Sequence, residues 1–174
     1  MSAHAHNKRL GFVLAALLVS GGWAQAAGAE GWKAGMPLPD LSGYGLEGAM
    51  PSFAGKVVVL DFWASWCAPC RASFPVLEEL HKKYVDRGMV LIGVNLDTDA
   101  KKMAPFLKDR PVTFPIVRDA AQQLVKAAKI NAMPTTVIVG RDGVIREIHS
   151  GFSVKEGPAK LAQAIEAGLG KDGP

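Results

Sequence analysis

The chain has 174 residues, 49% of them hydrophobic and 21% charged, a formal net charge of +4 and only two cysteines. That is enough chain for one domain with a real core, so no disulfide framework is needed, and a single cysteine pair falls short of a four-ligand zinc centre. Beyond the N-terminal segment no basic stretch interleaved with aromatics occurs, and nothing argues for nucleic-acid binding.

Lys8 and Arg9 precede an apolar run from Leu10 to Val19, followed by Gly21, Gly22, Trp23 and an Ala-rich stretch. This is the layout of a secretory signal peptide. Small-x-small sites set cleavage after Ala26 or Ala29, so residues 1–26 are read as the signal. Loss of Lys8 and Arg9 lowers the formal charge from +4 to +2. The alternative is an uncleaved inner-membrane anchor, since Leu10–Ala29 is long enough to span when tilted. Export implies an oxidising compartment, and the compact signal with few cysteines points to a bacterial periplasm.

Residues 30–55 are rich in Gly and Pro and read as a loose lead-in with one short hairpin, closed by the turn Ala54-Gly55-Lys56. Val57–Phe62 is almost continuously apolar and β-branched, the pattern of a strand buried on both faces. A helix follows from Ala68 to Arg87, with Phe74, Leu77, Leu80 and Tyr84 at three- and four-residue steps and Pro75 inside it. Met89–Leu96 is the next buried strand. Asp97, Thr98 and Asp99 offer caps for a short helix ending near Lys108. Thr113–Val117 reads as a brief edge strand because Pro115 cannot complete a central ladder. Asp119 caps a helix carrying Leu124, Val125 and Ala128. Thr135–Val139 and Val144–His149 form a hairpin about Arg141-Asp142-Gly143. Ser153 and Glu156 have capping-box spacing ahead of a last helix that ends near Leu169. Crossovers demand parallel pairing early and the hairpin an antiparallel edge, so the fold class is α/β, a mixed central sheet flanked by helices.

The chemistry concentrates in Trp66-Cys67-Ala68-Pro69-Cys70 at the junction of strand and helix. Two thiols at this spacing can close and reopen a disulfide, and a helix N-terminus favours the thiolate. Cys67 is expected to be the exposed attacker and Cys70 the shielded resolving thiol. Pro69 stiffens the turn, and Trp66 offers an apolar contact beside it. Asp61, in mid-strand, is expected to be buried with a raised pKa and to take the Cys70 proton; the plainer reading is an aspartate that reaches solvent. Met133-Pro134-Thr135 precedes a buried strand, and a proline there suits a cis turn against a reactive sulfur. Trp66 and Met133 would border a shallow apolar groove beside Cys67. His81 and His149 read as ordinary helix-surface and strand-face residues.

Trp63-Ala-Ser-Trp-Cys-Ala-Pro-Cys70, the strand leading into it, Met133-Pro-Thr-Thr136 and Asp142-Gly143 together resemble the thioredoxin-like superfamily, in its exported TlpA/ResA branch, which includes cytochrome c maturation reductases. The resemblance covers about residues 35–168, and residues 35–170 are read as a thioredoxin domain with a strand–helix insertion at Pro111–Ile130. It implies a thiol:disulfide oxidoreductase with a Cys67–Cys70 redox disulfide. Asp61 and Pro134 would join the catalytic set, and Trp66, Pro69, Met133 and Thr135 would contact substrate. No cofactor or metal is implied. The implied partners are disulfides of exported proteins, such as apocytochrome c or a copper-site assembly protein, and a membrane thiol protein that supplies electrons to a monomer. Ala68, where some maturation members carry an acidic residue, and Thr135-Thr136, where one subgroup has Glu beside its proline, weigh against dedicated haem attachment. A disulfide-forming oxidase or isomerase and a copper(I)-handling dithiol module are the alternative functions.

Overall fold

The computed structural model describes residues 30–170. The signal peptide and its alternative, a membrane anchor, lie outside them. A five-stranded sheet has the order β3-β2-β1-β4-β5. Its strands are β1 (Val57–Trp63), β2 (Met89–Asn95), β3 (Ile116–Arg118), β4 (Thr135–Val139) and β5 (Ile145–Ser150). β1, β2 and β3 run parallel, while β4 pairs antiparallel with both β1 and β5. The helices are α1 (Ala68–Tyr84), α2 (Met103–Asp109), α3 (Gln123–Ala128) and α4 (Gly157–Leu169). β3 with α3 is the expected insertion, and β3 is an edge strand that begins just past Pro115.

Every residue of β1, β2 and β4 is buried, as continuous apolar strands covered on both faces require. One face of β1 carries Asp61 and Trp63. Trp63 packs on Phe74 of α1 and Phe106 of α2, ring centroids 4.7 and 4.6 Å apart. Phe62, on the opposite face, meets Trp32 edge-on, and the Trp32 backbone N–H donates to Ala128 O at the end of α3. Gly93 of β2 leaves room for packed side chains, which a larger residue would push aside. A Cβ there would stand 2.5 Å from Ile116 Cδ1 and 3.1 Å from Trp63 Nε1.

α1 is shorter than the expected helix, because its last turn tightens into a 3-10 turn, Val85–Arg87, closed by Gly88 at φ +85°. Pro75 lies inside α1 and has no N–H for the carbonyl four residues back. That carbonyl, Arg71 O, instead accepts from Arg110 Nε at 3.2 Å. Glu78, also on α1, is buried and accepts from both the backbone N–H and the hydroxyl of Thr113, each at 2.8 Å. Both contacts pin the active-site helix to the segment between α2 and β3. Asp119 performs the expected capping, accepting from the backbone N–H of Gln123 and Val125.

The N-terminal hairpin is not formed. No strand precedes β1 among the described residues, and the turn at Ala54–Lys56 only reverses the chain into it. The lead-in is a strap whose backbone partners are distant. Gly35 N–H donates to Ile145 O, Ile145 N–H to Met36 O, and Leu38 N–H to Gly143 O. Farther along, Glu47 and Arg118 exchange both backbone hydrogen bonds, and the Arg118 guanidinium pairs with the Glu47 carboxylate. Within this segment Leu41 joins the core, and Leu38, Tyr44 and Leu46 pack against it.

Candidate active site

Cys67 is the N-cap of α1 and Cys70 lies in its first turn, held 5.3 Å apart at Cα and joined by a disulfide. Cys67 Sγ accepts the Cys70 backbone N–H at 3.2 Å, so a sulfur occupies the place a capping oxygen usually takes. Once the disulfide opens, the same N–H and the positive end of a 17-residue helix favour a thiolate at Cys67. Ser73 Oγ donates to Cys70 O at 3.1 Å and steadies the first turn. Cys67 is not the exposed member that the sequence suggested. It is 3% exposed and Cys70 is wholly buried, while Trp66, Ala68 and Pro69 beside them are exposed. Trp66 stands 67% exposed, whereas Trp63 is wholly buried.

Asp61 sits on the face of β1 that α1 covers, and it is 0% exposed. Burial without a cation raises its pKa from 3.8 to about 7, and the hydrogen bond from Thr136 opposes that rise. Thr136 Oγ1 donates to Asp61 Oδ1 at 2.8 Å, and Oδ2 has no partner among the described residues. The aspartate that reaches solvent is therefore not what the fold contains.

The Met133–Pro134 peptide bond is cis and Pro134 is buried. Thr135 is 1% exposed and its hydroxyl donates to Ala132 O at 2.7 Å, so this side chain braces the loop and offers no surface to a substrate. Met133 is half-buried and lines a cavity of about 360 Å³ with Leu96, Val125 and Ile130. His81 is partly buried against the Phe114 ring, centroids 6.0 Å apart, and burial lowers its pKa. The sequence reading missed Thr136. Its position after Pro134-Thr135 was visible, but its contact with Asp61 depends on the β1–β4 register, which no local pattern encodes.

A family profile described as Redoxin matches residues 33–165. The chain belongs to the redoxin family. Within it the protein is a thiol:disulfide oxidoreductase of the ResA/DsbE type in the thioredoxin-like superfamily. It is 31% identical over 129 residues to the thiol-disulfide oxidoreductase ResA of Geobacillus kaustophilus, covering 74% of this chain and 73% of that one. It is 35% identical over 132 residues to the thioredoxin-like protein YneN of Bacillus subtilis, covering 72% and 76%. Among solved structures, a Chlorobium tepidum protein assigned as a thiol:disulfide interchange protein DsbE superposes with a TM-score of 0.73 at 34% identity, covering 79% of this chain and 99% of that one.

Proposed function

We propose that this oxidoreductase is a periplasmic reductant that opens disulfides of exported proteins. Cys67 attacks one sulfur of the target's disulfide and the other leaves as a thiolate. Cys70 then gives its proton to Asp61 and attacks Cys67 in the mixed disulfide. The Cys67–Cys70 bond forms, the bond to the target breaks, and two electrons have passed to the target. A membrane thiol protein returns the electrons. In this reading the buried cis Pro134 shields the sulfurs, as the resemblance implies, and the exposed Trp66 and Pro69 give a target its first apolar contact. Apocytochrome c and a copper-site assembly protein are the proposed targets, in keeping with the exported branch that the sequence resembles.

The observation that carries this reading is a disulfide capping α1 on the sheet face that holds a buried carboxyl with one oxygen bonded to Thr136 and the other without a partner among the described residues. A site that can accept a proton internally suits a resolving thiol with no other base. The deciding measurement is the reduction potential of Cys67–Cys70, by equilibration against defined thiol buffers. A value near about −270 mV or lower is expected of a reductant, and one near about −120 mV would make the protein a disulfide donor.

A further inference from the structure

Asp61 is sealed from water, yet each turnover that leaves a proton on it needs a way to release that proton. The β-ladder supplies a row of polar side chains. Asp61 of β1 is paired with Thr136 of β4, and Thr136 with His149 of β5. Cross-strand partners share a face with Cβ atoms about 4.5–5.5 Å apart. The row thus runs straight from the sheet's central strand to its edge. Exposure grows along it: Asp61 is 0% exposed, Thr136 4%, and the His149 side chain 24%. Thr136 and His149 both line a cavity of about 370 Å³ between β5 and the start of α4, together with Ser153 and Lys160.

The end groups fit a conduit. The Thr136 hydroxyl already donates to Asp61 Oδ1, and a hydroxyl can accept one proton while passing on its own. His149 Nε2 lies 3.0 Å from Glu147 Oε2, but it is off the angle of a hydrogen bond and has no hydrogen-bond partner among the described residues. Lys160, the charged group facing the cavity from α4, is paired with Glu156 at 2.6 Å. An imidazole ring offers one donor and one acceptor nitrogen, which suits His149 to the outer end of such a row.

We infer that Thr136 and His149 carry the Asp61 proton across the sheet face to the β5–α4 cavity, a route separate from the dithiol surface. This rests on the proposed proton transfer from Cys70 to Asp61. In the step, Asp61 O–H gives its proton to Thr136 Oγ1 while the Thr136 proton passes to His149 or to cavity solvent. The carboxylate is restored, and no electrons move. Thr136 and His149 are positioning residues here, since neither touches the sulfurs.

The test is single-turnover oxidation of the reduced protein by oxidised glutathione near pH 7, in H₂O and D₂O, with folding checked by circular dichroism. Asp61→Asn is expected to slow the reaction about a hundredfold or more, in the range of lost acid–base help. Thr136→Val is expected to slow it similarly, with Thr136→Ser restoring the rate. His149→Phe is expected to slow it several-fold, with added imidazole restoring the rate through the cavity; a role confined to packing gives no such rescue. If Asp61→Asn is slow while His149→Phe keeps the full rate, the route is wrong and Asp61 exchanges on the dithiol side. If Asp61→Asn itself keeps the full rate, the proton-transfer reading fails, and the route with it.

Discussion

At the residue scale, Asp61 makes stability depend on pH in a direction opposite to most carboxylates. Its folded pKa, about 7, lies above the unfolded 3.8, so folding takes up a proton between those values. Its contribution is most favourable below about pH 4, is lost as pH rises toward 7, and stays lost above. The span is about 4 kcal/mol, a large share of a small domain's stability. Asp61→Asn keeps the shape and an acceptor for Thr136 but cannot ionise. It is expected to be more stable than the wild type at pH 8, with little difference at pH 4. Urea denaturation of the oxidised protein at both pH values measures this, and a gap that does not widen with pH would mean Asp61 does not titrate there. The position is unfavourable for folding, and the proposed proton transfer accounts for it, since functional sites are where local rules are expected to break. Asp61 itself was legible in the sequence, as a lone acid in an apolar run. Its partner Thr136 was not, because a threonine in a strand is unremarkable until register places it opposite a carboxyl.

At the element scale, α1 carries both cysteines, and among the contacts that hold it outside the sheet are Arg110 to Arg71 O and Glu78 to Thr113. Glu78→Ala strips the acceptor from two Thr113 donors, one of them a backbone N–H. It is expected to cost about 2 kcal/mol, read as a lower urea midpoint, and to speed amide exchange at Thr113 ahead of β3. Unchanged protection at Thr113 would assign Glu78 a surface role only. The strands and helices were largely readable, because long apolar runs, caps and the prolines at 75, 115 and 134 act locally. The hairpin expected in residues 30–55 was misread for a physical reason. Its backbone groups bond to Ile145, Gly143 and Arg118, and a local window cannot distinguish a segment that pairs with itself from one that pairs far along the chain. The exposed Cys67 was misread as well, since burial of a residue at a strand–helix junction depends on packing that no local pattern states.

At the scale of the whole molecule, the oxidised site is a buried disulfide beside the exposed Trp66 and Pro69, the proposed contact surface for protein disulfides. Cys70→Ala leaves Cys67 able to attack but removes the thiol that releases the target. Expressed in a periplasm, this variant is expected to accumulate discrete mixed disulfides that dissolve on adding dithiothreitol, while Cys67→Ala accumulates none. A smear with no discrete species would argue for a broad reductant without dedicated targets. The strap at residues 30–56 has a different consequence, one of timing. It covers both outer margins of the sheet, bonding to Ile145 at the start of β5 on one side and to Arg118 of β3 on the other. Synthesis delivers the strap well before β5, so its partner at Ile145 arrives late. Until then bare strand edges are templates for neighbouring chains. The chain is thus most prone to sticking before its final hairpin is made, and that hairpin gives the strap its anchor on the β5 side.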